Sequence, residues 1–116
     1  MDLKIIDPPR IYEVGTGNTI KDCGHVKLEP DEQITFLTDS GGQYDVTRKF
    51  WGFYATPSLN GRLKKFGLRS VLVKNFESKL FILLVESSKE SFFYEYLDLE
   101  RLTIVQWLDE DCDNKP

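Results

Sequence analysis

The chain is poor in the residues that staple, ligate and catalyse. Cys23 and Cys112 are its two cysteines and His25 its one histidine. Two cysteines cannot build a disulfide scaffold, which points to a reducing, cytoplasmic setting. One histidine and two distant thiols also fall short of a zinc ligand set, so no metal or other cofactor is expected. Long apolar runs are missing as well. The longest, Leu80 to Val85, has six residues, against the ~20 that a membrane-spanning helix needs. The opening Met-Asp-Leu-Lys-Ile-Ile-Asp-Pro-Pro lacks the apolar core of a secretion signal. No internal repeat, low-complexity tract or linker is visible, so residues 1–116 read as a single domain.

What is present suffices for a packed interior. A chain of 116 residues with 41% hydrophobic and 29% charged residues has globular composition, and at this length about two-thirds of the unfolded surface can be buried. The charge is unevenly spread. From Met1 to Thr47 nine acids face four bases; from Asn75 to Pro116 ten acids face four. Between them, Arg48 to Lys74 holds Arg48, Lys49, Arg62, Lys64, Lys65, Arg69 and Lys74 and no acid over 27 residues. Such a segment in a chain of net charge −4 has two readings: its bases pair with the acidic flanks, or some converge on an anionic partner.

Periodicity gives the expected fold. Residues 1–25 read as an irregular segment, with Pro8-Pro9 and Gly15-Thr16-Gly17-Asn18 as turn chemistry and a short strand at Ile11 to Val14. Gln33 to Thr38 is β-branched and aromatic, and Asp39-Ser40-Gly41-Gly42 closes a hairpin onto an extended run from Gln43 toward Tyr54. Gly67 to Asn75 and Lys79 to Glu86 form a second hairpin, turning near Phe76-Glu77-Ser78. Leu80 to Val85 is apolar on both parities, which predicts a central strand covered on both faces. The cover is a helix from about Lys89 to Glu100, with Ser87 and Glu90 at capping-box spacing. Phe92, Tyr96 and Leu99 lie on one stripe, widened by Phe93 and Leu97. Thr103 to Leu108 is a last strand and residues 109–116 an acidic tail. The expected fold class is α+β: one antiparallel sheet of five to six strands, flat or curved into a half-barrel, with one helix in the C-terminal half packed on it.

The candidate site is the segment Arg48-Lys-Phe-Trp-Gly-Phe-Tyr-Ala-Thr-Pro-Ser-Leu-Asn-Gly-Arg-Leu. If residues 43–54 are extended, Tyr44, Val46, Arg48, Phe50, Gly52 and Tyr54 share one face, and Asp45, Thr47, Lys49, Trp51 and Phe53 the other. Rings stack on flat groups while guanidinium holds anionic oxygens in a fork. Trp51 and Tyr54 therefore offer stacking area, Arg48, Arg62 and Arg69 neutralise phosphate or carboxylate, and Ser58 and Asn60 hydrogen-bond. Asn60-Gly61 suggests a tight turn between Leu59 and Arg62. Lys64 and Lys65 extend the positive surface.

Other motifs carry less. Cys23-Gly24-His25 could pair a thiolate with imidazole, but no orienting group or oxyanion site is evident. Glu29, Asp31 and Glu32 read as a solvated turn in which no carboxylate pair stands out. Asp109-Glu110-Asp111-Cys112-Asp113 lacks the glycine and closing glutamate of a calcium loop. Gly15-Thr16-Gly17-Asn18 lacks the lysine and helix of a phosphate loop.

The leading expectation is a small non-enzymatic binding domain for a compact anionic or sugar-like ligand, such as a nucleotide sugar, at the aromatic and basic surface. The alternative is a protein-interaction or self-association module in which acidic ends meet a basic middle, of this chain as a homodimer or of an acidic partner surface. The pI near 5.0 argues against nucleic acid.

Overall fold

The structure, a computed structural model, describes residues 1–110. It is mostly antiparallel sheet, with one long helix in the C-terminal half. The chain divides into two compact units. The first comprises Met1–Ile34 and Val46–Ala55; the second comprises Thr35–Asp45 and the chain from Thr56 onward. In place of one sheet of five or six strands there are three small ones, ordered β1-β2, β3-β4-β5 and β7-β6-β8.

In the first unit, β1 (Asp2–Val14) and β2 (Asn18–Lys27) form a long two-stranded ribbon where an irregular segment was expected. Pairing runs from Asp2↔Lys27 to Ile5↔Gly24, breaks, and resumes at Arg10↔Asp22. Pro8 and Pro9 fall within the break, where no ladder N–H is required of them. The prolines mark an interruption of the strand and not its absence. Gly24 is needed opposite, because a Cβ there would overlap the Lys4 carbonyl oxygen. β4 (Gln43–Lys49) then pairs with β5 (Gly52–Ala55) from Val46↔Ala55 to Lys49↔Gly52. Phe50 and Trp51 are thereby the two residues of a tight turn, so the extended run expected to reach Tyr54 ends at Lys49. The alternation of faces read through residues 43–54 stops there too. Leu28 is the one buried hydrophobic residue of this unit among those described.

The second unit holds the core. The loop from β3 (Gln33–Leu37) to β4 closes as the sequence indicates: Gly42 N–H donates to Thr38 Oγ1 at 2.9 Å, and Thr38 N–H to the Gly42 carbonyl at 3.0 Å. One turn of helix, α1 (Arg62–Lys65), precedes the hairpin of β6 (Leu68–Lys74) and β7 (Leu80–Glu86). The hairpin pairs in unbroken register from Leu68↔Glu86 to Lys74↔Leu80. Asn75 Oδ1 accepts the N–H groups of Glu77 and Lys79 in its turn, both at 2.9 Å. β8 (Thr103–Trp107) pairs with the other side of β6.

β6 is thus the central strand and β7 an edge. This reverses the expectation for Leu80 to Val85: Leu80, Phe81 and Ile82 are about half exposed, while Val71 and Val73 of β6 are fully buried. Parity tells how apolar a strand is, not how many strands flank it.

Helix α2 (Glu90–Glu100) matches the expected span, but only the Phe93 and Leu97 part of the expected stripe is buried. Phe93 and Leu97 enter the core with Val71, Val73 and Val85, whereas Phe92, Tyr96 and Leu99 stay exposed. The Ser87–Glu90 capping box does not form. Ser87–Lys89 is a 3-10 turn, and no side chain caps the helix. Glu90 instead reaches Arg69 at 3.0 Å, an ion pair with a full positive charge in place of a single backbone N–H. Asp109, expected to open a solvated tail, is 1% exposed; residues 111–116 of that tail lie outside the described residues. No helix among the described residues is long and apolar enough to cross a membrane.

Candidate functional site

The expected site residues fall in both units. In the first, the Phe50-Trp51 turn carries two exposed rings, with Phe53 and Tyr54 exposed on the strand that follows. Arg48 Nη1 donates to the Gly52 carbonyl at 3.2 Å, and its guanidinium carbon lies 5.7 Å from the Phe53 ring centre. Lys49 Nζ meets Asp31 at 2.6 Å. The turn is therefore an aromatic tip whose arginine is steadied by backbone and ring.

In the second unit, Arg62 and Arg69 have carboxylate partners of their own. Asp45, 8% exposed, accepts from Thr35 Oγ1 at 2.6 Å and from Arg62 Nη2 at 3.2 Å. Arg62 Nη2 also reaches Thr56 Oγ1 at 3.2 Å, and the Thr56 N–H donates to the Asp45 carbonyl at 3.0 Å. Ser58 Oγ accepts the Arg62 N–H at 3.0 Å, which satisfies a free donor at the start of α1. Asn60-Gly61 makes no hairpin: the Leu63 N–H turns back to the Ser58 carbonyl at 3.1 Å and the chain enters the helix. Exposed Asn60 lies in that turn. These polar groups anchor α1, and with it fully buried Leu63.

Arg69 is more deeply engaged. Its Nε and Nη2 fork onto Asp109 at 2.7 and 3.2 Å, and Nη1 reaches Glu90 at 3.0 Å. The guanidinium carbon is 3.9 Å from the Trp107 ring centre, and Trp107 meets Phe93 edge-on at 5.9 Å. Hydrogen bonding from Arg69 holds the Asp109 carboxyl below its ordinary range, and Asp109 in turn raises the guanidinium. One cation thus joins β6, the end of β8 and the first turn of α2. All three of its nitrogens donate to carboxylates within the fold, the pairing with acidic flanks that the charge distribution allowed.

One concave feature was missed by sequence reasoning. A groove of about 630 Å³ lies in the second unit, lined by Phe36, Tyr44, Leu83, Leu84, Phe92 and Tyr96 among others. At one end Glu86 accepts a hydrogen bond from Ser40 and pairs with Lys89 at 3.2 Å. The hydroxyls of Ser40 and Thr38, then Lys89, hold the Glu86 carboxyl below its ordinary range. The signal was present in the i, i+4, i+7 spacing of Phe92, Tyr96 and Leu99, but that stripe reads as core until the helix is docked.

Cys23 and His25 are exposed on β2, Cys23 at the break in the ladder; Cys23 Sγ contacts the Lys21 carbonyl at 3.6 Å. No group of three or more potential metal ligands occurs among the described residues. The chain matches no protein-family model, no curated protein and no solved structure.

Proposed function

We propose that this chain is an association module whose driving force is apolar area. The observation that carries the reading is where the large apolar side chains lie. Leu80, Phe81 and Ile82 of β7 and Phe92 and Leu99 of α2 are each about half exposed or more. Large apolar side chains exposed in such number, Leu80 and Ile82 on one face of the sheet and Phe81 on the α2 face, mark interaction sites. The first unit supports the same reading. Leu3, Ile5 and Ile11 are exposed on a two-stranded ribbon, and such a ribbon is marginal in water without a covering surface. Charge complementarity between copies is the weaker driver, because Lys49, Arg62 and Arg69 already have internal carboxylates.

Sedimentation equilibrium of the full chain at 0.05 M and 0.5 M salt tests this. Apolar association survives or strengthens in high salt, whereas association through opposite charges weakens. A monomer at every concentration and both salt levels overturns the proposal.

A second reading rests on the aromatic tip. Trp51 at the turn and Tyr54 on β5 offer exposed rings, and Arg48, packed against Phe53 on the other face of the hairpin from Tyr54, offers a cation, for a compact anionic or sugar-like ligand. Amide NMR shifts on adding a nucleotide sugar test it; a spectrum unchanged at Arg48, Trp51 and Tyr54 removes it.

A further inference from the structure

We infer that β7 is the dimerisation edge: a second copy of this chain adds its own β7, antiparallel, across a two-fold axis at Ile82. The inference rests on the association reading above and names its partner.

The ladder shows which backbone groups are free. The Asn75 N–H donates to the Lys79 carbonyl at 2.9 Å and the Ser87 N–H to the Gly67 carbonyl at 2.8 Å, in the register that pairs β6 with β7. Residues 79, 81, 83, 85 and 87 therefore turn their backbone groups toward β6. By alternation, Leu80, Ile82 and Leu84 turn theirs to the open side, where no described strand pairs with β7. Edge strands ordinarily carry a charge, a proline or a bulge that prevents pairing. Leu80 to Val85 has none of these and pairs with β6 without interruption.

Symmetry then limits the register. Antiparallel strands related by a two-fold axis normal to the sheet keep their faces, so directly opposed residues share parity. Centring on Ile82 sets Leu80 against Leu84 and Phe81 against Leu83 of the second copy, all apolar. Centring on Leu83 sets Leu80 against Glu86, which buries a carboxylate beside leucine.

The same axis keeps both copies of α2 on one face of the joined sheet. The exposed Phe92, Tyr96 and Leu99 lie on the β7 side of α2, since Phe92 and Tyr96 line the groove with Leu83 and Leu84. Half-exposed side chains of this size present ~100 Å² each. Leu80 and Ile82 on one face of the joined sheet, and Phe81, Phe92, Tyr96 and Leu99 on the α2 face, thus offer at most about 1,200 Å² over two copies, the lower bound of stable specific interfaces. The charge-free edge also suits a second copy, because two chains of net charge −4 approach with least repulsion where neither carries an acid.

The test is sedimentation equilibrium of the full chain and of two variants, with hydrogen exchange of the Leu80, Ile82 and Leu84 amides. Ile82→Lys places a charge at the axis. Ile82→Pro removes an N–H that faces the open side and so spares the β6 ladder. Circular dichroism verifies that each variant is folded. The expected result is a dimer of the parent chain with those three amides protected, and a dissociation constant raised ~30-fold or more in both folded variants. A dimer unchanged by either folded variant overturns the β7 edge and leaves the association reading standing. A parent chain that is monomeric throughout overturns both. Protection of the three amides only on adding a foreign extended apolar peptide overturns the second copy as occupant.

Discussion

Arg69 and Asp109, forty residues apart in sequence, meet through two parallel hydrogen bonds of 2.7 and 3.2 Å. The carboxylate is 1% exposed and the guanidinium side chain 25%. Removing the cation leaves a buried charge without its partner, the costly half of a broken ion pair. Arg69→Met is expected to lower unfolding stability by about 2–4 kcal/mol, allowing for the partial exposure of Arg69. Arg69→Met with Asp109→Leu regains most of that loss. Urea denaturation of the two single variants and the double gives the coupling directly; additive losses would mean that the pair does not act as a unit.

The same pair sets an acid limit. Because Arg69 holds the Asp109 carboxyl below its ordinary value near 3.8, the folded state binds its proton less readily than the unfolded chain. The stabilisation is complete above about pH 5 and is lost as the pH falls through ~4 toward the lowered folded value. Urea midpoints of the parent chain and Asp109→Asn, followed from pH 7 downward, should differ most at neutral pH and converge below ~4. Curves that stay parallel count against this assignment.

The two stripes of α2 separate in the same way. Phe93→Ala and Leu97→Ala remove buried groups from the cluster with Val71, Val73 and Val85 and are expected to cost about 3–5 and 2–5 kcal/mol. Phe92→Ala removes a ring already 67% exposed and is expected to change the folding stability of a single copy by no more than about 0.5 kcal/mol. Denaturation at concentrations below any self-association compares them. Equal losses from Phe92 and Phe93 would mean that the whole wide stripe read from the sequence is buried.

Gly61 and Ser58 are coupled by space. A Cβ at Gly61 would overlap Ser58 Oγ, the atom that accepts the Arg62 N–H. Gly61→Ala forces the hydroxyl away and is expected to cost about 1 kcal/mol, the worth of one such hydrogen bond. In a Ser58→Ala background the same change should cost little. A thermal-melt cycle over the four chains measures the difference.

Most local elements are legible in the sequence because their signals are local. The β6–β7 hairpin, its turn near Ser78, the span of α2 and the last strand follow from periodicity and turn chemistry within a dozen residues. The charge pattern was equally legible as a pattern: an acid-free stretch between acidic flanks. Where each charge goes was not. Lys49 found Asp31, Arg62 found Asp45, and Arg69 found Asp109 and Glu90. Those partners lie 17 to 40 residues away, and several are equivalent by composition.

The sequence by itself determined that β7 and α2 are apolar, that the middle of the chain is basic, and that aromatic residues cluster at Phe50 to Tyr54. Tertiary structure alone decided that β6 takes the centre, that Phe93 turns inward while Phe92 turns out, and that Pro8-Pro9 sits inside a strand pair. The reason is that burial is a property of neighbours. A residue's hydrophobicity is carried by its own side chain, but how much of it leaves water depends on which element docks beside it.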